Sequence, residues 1–279
     1  MIRDWTDSTI KRFLKEGRGS GEGSEYKSWL QVQDIKSQGR STRIFSPKLK
    51  RVVHLLSDLQ LYYYYLLEFD VRVIDIREQY PLIDFHEQRI QLDERLRSKL
   101  FSSKTDVPHV LTVTYLITKV DNNHVPYYEA RVVKTSSELE KKATIERLEL
   151  LRRYFEKKDI DFGIVTEKEI DKQTARNIAW ALTAYDIYDY PDINSNFAYL
   201  KEDMLSLLKS PTATFQSVFS KLERSYQLKE GMGLILFKHL LATKQIWMDM
   251  GKKIELTNKV ETYNIKAERL DGEDHAISS

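Results

Sequence analysis

At 279 residues, with 41% hydrophobic and 31% charged side chains, the chain is long enough for one or two buried cores and too apolar to be disordered throughout. A formal net charge of +2 says little about partners, and the lack of any cysteine excludes disulfides, thiolate zinc sites and cysteine nucleophiles, so a catalytic metal would need oxygen or imidazole ligands. No run reaches ~18 apolar residues and the start MIRDWTDSTIKRF lacks the apolar stretch of a secretory signal, so a cytoplasmic protein with no membrane partner is expected.

Charge is unevenly spread, with twelve Lys or Arg against six Asp or Glu in residues 1 to 57. A basic N-terminal third suits phosphate contact, although a solvated charged face would look the same. Within it, KEGRGSGEGSEYKSW must be a loop, and its order of residues is not that of a nucleotide-binding P-loop. A mostly buried helix is expected from Leu55 to Glu68 with Ser57 as N-cap, its tyrosines Tyr62 to Tyr65 serving packing. VRVIDIREQYPL reads as a strand ending at Pro81, and Asp84 to Lys104 as loop with some helix.

HVLTVTYLITKV and VPYYEARVVK, separated by DNNH, form the pattern of an antiparallel hairpin. A helix from about Ser137 to Lys157 and a short buried strand, IDFGIV, follow. Thr166 and Glu169 have capping-box spacing and are expected to open a helix running to about Ala184. Residues 185 to 196 read as a linker, followed by the helix FAYLKEDMLSLLK, two more helical patterns and a hairpin, QIWMDMGKKIELT. Helix, helix, hairpin is the order of a winged helix, and the last residues read as a mobile tail.

Several segments in collinear order resemble the TnsA family, the endonuclease subunits of heteromeric bacterial transposases. They are KEGRGSGEGSEYKSWLQVQ, GRSTRIFSPKLKRVVHLLSDLQL, VIDIREQYPL and ERLELLRRYFEKKDIDFGIVTEKEI. The resemblance implies an α/β fold: a restriction-endonuclease-like domain, with a mixed central sheet flanked by helices, over residues 1–166. An α-helical winged-helix domain is expected over 167–265 and a tail over 266–279. It also implies cleavage of transposon 5′ ends, a TnsB-like transposase acting on the 3′ ends, and a TnsC-like AAA regulator as partner.

The family mechanism needs magnesium, held by a helical Glu and a strand Asp beside a Lys. By the resemblance those positions are Gln60, Thr114 and Lys134 here, so two of the three are the wrong residue type. An amide, a hydroxyl and an ammonium offer a divalent ion no negative ligand, so no metal and no cofactor is expected of this chain. Nearby acids do not replace them. Glu129 lies on the opposite strand face, Val132 holds the same-face position, and Asp106 is ~26 Å along a strand at ~3.3 Å per residue. Asp58 points away around the helix, whereas Glu68, ~12 Å along it on nearly the same face, is the one candidate for a relocated acid. The histidines show no metal-ligand spacing and there is no Gly-x-Ser-x-Gly turn.

For DNA contact the candidates are Arg18, Arg40, Arg43, Lys48, Lys50 and Arg51, with Lys238, Lys244, Lys252 and Lys253 in the C-terminal domain. Three readings follow. The chain is a TnsA-like subunit that binds transposon ends, transposase and regulator without cutting; or a metal-dependent nuclease whose acids have moved; or a stand-alone winged-helix regulator.

Overall fold

The β-branched runs after residue 72 become one four-stranded sheet in the order β3-β4-β5-β6. β3 (Val73–Pro81), β4 (Thr112–Val120) and β5 (Pro126–Val133) are antiparallel neighbours, and β6 (Asp161–Val165) joins β5 in parallel. The expected hairpin is present: Asp121 accepts the N–H groups of Asn123 and Val125 at 2.8 Å and so closes the turn. β6 is an edge strand whose only buried residue is Val165, not the buried strand its composition suggests. A computed structural model describes residues 6–35, 40–101 and 107–267, and the chain divides into two compact units, 1–170 and 171–279.

Successive strand residues point to opposite faces, which sets the helices of the first unit on the two sides of the sheet. Tyr115 meets Tyr63 of α2 (Asp58–Phe69) with ring centroids 5.9 Å apart. Its neighbours Leu116, Ala130 and Val132 instead form a core with Leu148, Leu151 and Phe155 of α4 (Lys142–Lys157). α2 is capped at Ser57 as expected, starting three residues later than Leu55 because Arg51–Leu55 is itself a strand. That strand, β2, pairs with β1 (Thr42–Ser46) in a separate hairpin that the sequence reading did not anticipate. Between Asp84 and Lys104 the helical part is α3 (Glu94–Ser98), whose Arg95 bonds the buried Glu146 of α4 at 3.0 Å.

The N-terminal segment contributes α1 (Asp7–Lys15), and its Phe13 packs edge-on against the fully buried Trp29. The glycine-rich loop then lies against β3. Gly19, at φ 77°, sits where an added Cβ would come 2.3 Å from the Pro81 ring, so no side chain fits.

Thr166 and Glu169 do bond as a capping pair, at 2.6 and 2.7 Å, but they close a turn. The helix begins later, as α5 (Lys172–Leu182) capped by Asp171, and the two compact units divide at 170/171. The second unit continues with α6 (Pro191–Asn194) inside the expected linker, then α7 (Phe197–Leu208), α8 (Phe215–Ser225) and α9 (Met232–Ala242). Gly233 lets α9 approach α8 closely, since a Cβ there would lie 2.8 Å from that of Phe219.

The expected C-terminal hairpin does not form. In residues 246–250 Ile246, Met248 and Met250 are buried, yet the segment's backbone partners come from farther along the chain. Asp249 N–H donates to Tyr263 at 2.8 Å and Trp247 bridges Lys266. Tyr263 decides this pairing, because it is fully buried against Phe215 with ring centroids 5.2 Å apart. Lys266 is therefore held rather than part of a tail, and residues 268–279 lie outside the described residues.

Candidate functional site

The three positions singled out for catalysis come together at one end of the sheet. Gln60 stands in the first turn of α2, where its Oε1 accepts the N–H of Leu56 at 2.9 Å and the side-chain amide of Gln79 at 3.2 Å. Its backbone carbonyl accepts the Tyr115 hydroxyl at 2.9 Å, fastening the start of the helix to β4. Burial pushes the Tyr115 phenol well above its ordinary pKa, so it remains a donor. Thr114, buried on β4, accepts the N–H of Val133 at 3.1 Å through Oγ1. Lys134 is the next residue along.

Gln79 was missed by sequence reasoning. Its neighbours Glu78 and Tyr80 pair with Tyr115 and Val113, so the register sets Gln79 opposite Thr114. Gln79 takes φ 50°, in the left-handed region, within a strand and while buried. Such a backbone in a non-glycine residue costs of order 1 kcal/mol or more, and it is held here by the ladder on either side and the bond to Gln60. The only sequence signal was its place just before Tyr80-Pro81, where a strand must end.

Lys134 does not stand free at the site. Its Nζ bonds Glu138 Oε1 at 2.8 Å, and Glu138 also accepts the N–H of Thr135 at 3.0 Å. Burial works against the carboxylate, but the hydrogen bonds from Lys134 and Thr135 outweigh it and hold Glu138 below its usual pKa.

A divalent cation does not fit this set. The side-chain oxygens of Gln60 and Thr114 already accept protein hydrogen bonds, and Glu138, four residues beyond Lys134, is tied to it. Among the described residues no three His, Asp or Glu side chains are grouped to hold a metal ion. The relocated-acid candidate, Glu68, is spent elsewhere: it accepts from Ser46 at 2.8 Å, Lys48 N–H at 2.9 Å and Tyr64 at 2.7 Å. Glu129 is bound by Lys119 and Arg131, Asp58 is exposed on the far side of its helix, and Asp106 lies outside the described residues.

The six DNA-contact candidates divide into two groups. Arg18 is buried over the Phe13 ring and bonds Glu16, Asp34 and the Trp29 carbonyl. Lys48 gives its ammonium to the carbonyls of Leu67, Asp70 and Val73. Arg51 bonds both carboxylate oxygens of the fully buried Glu78 at 3.0 and 2.7 Å and the carbonyls of Gly23 and Ile76. These three are structural, and expecting them on phosphate overlooked acceptors distant in sequence. Arg40, Arg43 and Lys50 are exposed. In the second unit Lys238 lies over Trp180, while Lys252 and Lys253 pair with Asp249 and Glu255.

No helix among the described residues is long and apolar enough to cross a membrane. Comparison with known proteins gives two adjoining matches: the TnsA-like endonuclease N-terminal family over residues 70–167 and the TnsA endonuclease C-terminal family over 169–250. The chain is also 40% identical over 177 residues to the Transposon Tn7 transposition protein TnsA of Escherichia coli, covering 63% of each, and so spans less than two thirds of that relative. Two family matches in the right order, on a mixed sheet flanked by helices and a helical second unit, place the chain in the TnsA-like family, with a restriction-endonuclease-like N-terminal fold.

Proposed function

We propose that this chain serves as the TnsA-like subunit of a DNA transposition complex, engaging transposon-end DNA, a TnsB-like transposase and a TnsC-like AAA regulator, and that it does not cut 5′ ends by the metal-dependent family mechanism. One observation carries the second half. Where two carboxylates would be needed, Gln60 and Thr114 present neutral oxygens already bonded to the protein, and Lys134 faces Glu138. A divalent ion bound there would lose its hydration without gaining a counter-charge.

The test combines the chain with its transposase, transposon-end DNA and Mg2+ or Mn2+. No 5′-strand nicking above background is expected. Specific nicking that Lys134→Ala abolishes would overturn the proposal and favour a nuclease with relocated acids. A complementary measurement is calorimetric titration with Mn2+. The native chain should show no binding, whereas Gln60→Glu with Thr114→Asp should gain it, because carboxylate oxygens can accept the same hydrogen bonds from Leu56 and Val133.

A further inference from the structure

β1 and β2 are regular on their inner face and unusual on their outer one. Ser46, Arg51, Val53 and Leu55 are buried, while the register pairs Phe45 with Val52 and Arg43 with His54 on the opposite side. Phe45 is 62% exposed and Val52 49%. A cross-strand apolar pair normally stabilises a hairpin by being covered, and this one faces water.

The hairpin's own sequence carries charge of one sign. Between Asp34 and Asp58 the sequence has no acid, but it carries Lys36, Arg40, Arg43, Lys48, Lys50 and Arg51. With Lys48 and Arg51 turned inward, the charges left at the surface of the hairpin are Arg40 before β1, Arg43 on the outer face and Lys50 in the turn. Lys50 takes φ 56° in that turn. Positive potential here is also felt by His54, whose pKa is lowered first by burial and then by Arg43 and Arg51. Its Nδ1 accepts the Val32 N–H at 3.3 Å, so the imidazole stays neutral and contributes an apolar ring surface to the face.

We infer that the outer face of this hairpin is a duplex-DNA contact, with Arg43, flanked by Arg40 and Lys50, on phosphates and the Phe45–Val52 pair against sugars and base edges. The argument for DNA over a protein partner is charge complementarity: a two-stranded ribbon is narrow enough to enter the major groove, and its cations outnumber the one carboxylate felt at His54, Asp34, which is itself paired with Arg18. The inference rests on the DNA-binding half of the proposed function and assigns it to a surface that the candidate catalytic positions do not share.

The experiment measures binding of the full chain to a labelled duplex carrying the transposon end, by fluorescence anisotropy across a range of salt concentrations. Arg40→Ala with Arg43→Ala should weaken binding and lower the slope of log K against log salt by about two, roughly one per lost phosphate contact. Phe45→Ala should weaken binding about fivefold or more with the slope unchanged, and Arg152→Ala on α4 should do neither. These side chains point to solvent, so melting temperatures should stay near that of the native chain. If the native chain binds the duplex and the hairpin variants bind equally well, the inference fails and the proposed function stands. If they keep DNA affinity but lose association with the transposase, the face is a protein contact and the inference fails. Should the native chain bind no duplex, alone or with its transposase, the proposed function loses its DNA-binding half as well.

Discussion

The ion pair between Lys134 and Glu138 makes the residue scale testable without any assay of DNA cleavage. Glu138 titrates below its ordinary value because Lys134 and Thr135 stabilise its charged form against burial. A carboxyl depressed in the folded state adds stability above its unfolded pKa and loses it as pH falls through the folded value, so the contribution of Glu138 should be lost in acid. Lys134→Met should return the Glu138 pKa toward the usual carboxylate range, as read by carboxyl-carbon NMR titration; an unchanged midpoint would mean the bond is not held in solution. Gln79 gives a second test. Gln79→Gly removes left-handed strain but also the amide bond to Gln60, and should leave unfolding free energy within about 1 kcal/mol of native. Gln79→Val, β-branched at positive φ, should cost about 2 kcal/mol. Equal stabilities in urea melts would show that the kink relaxes. Gln60, Thr114 and Lys134 were singled out by resemblance to the family's segments, and no pattern in the sequence marks them on its own. The roles of Gln79 and Glu138 were not legible, since backbone strain and a contact from the following turn leave no periodic trace.

Among elements, those with long unbroken patterns were read well. α2, β3, the β4–β5 hairpin, the end of α4 and α7 to α9 fall close to their expected bounds, because an apolar stripe or an alternating run specifies both type and face. β1 and β2 escaped because each is five residues long and broken by Ser46-Pro47 and a run of cations. The C-terminal hairpin was expected from a local turn, but Tyr263 anchors a later segment as the partner, and burial of a large ring overrides turn chemistry. The glycine-rich segment is a loop, as expected, and it is fastened to the sheet. Arg51 ties Gly23 to β3 through Glu78, and the hydroxyls of Tyr26 and Ser28 donate to the Glu78 carbonyl. Glu78→Ala leaves the Arg51 guanidinium buried without its counter-ion, and such broken pairs cost about 3 to 5 kcal/mol. Guanidinium-chloride melts should show a loss of that size. The loop should also become sensitive to proteolysis, whereas a loss under 1 kcal/mol would assign the docking to the two hydroxyls.

At the scale of the whole molecule, each unit carries its own core. The sheet and its helices close around Leu116, Val132, Leu150 and Phe155 in the first; Phe215, Phe237 and Tyr263 sit at the centre of the second. Two separate cores on one chain should behave as two cooperative blocks. The sequence placed the start of α5 early, because the Thr166–Glu169 pair has the spacing of a helix start. What separates that turn from a helix is Asp171, whose carboxylate accepts the N–H groups of Gln173 and Thr174 at 2.8 and 3.1 Å. A cut between Ile170 and Asp171 keeps both capping groups with their own elements. Fragments 1–170 and 171–279 should therefore each fold and unfold in a single transition by circular dichroism. A cut at 174/175 should destabilise the second fragment by about 1 kcal/mol or more, through loss of its N-cap and first helical turn. If 171–279 alone lacks a cooperative transition, its aromatic core depends on the first unit, and the division into two folding blocks is wrong.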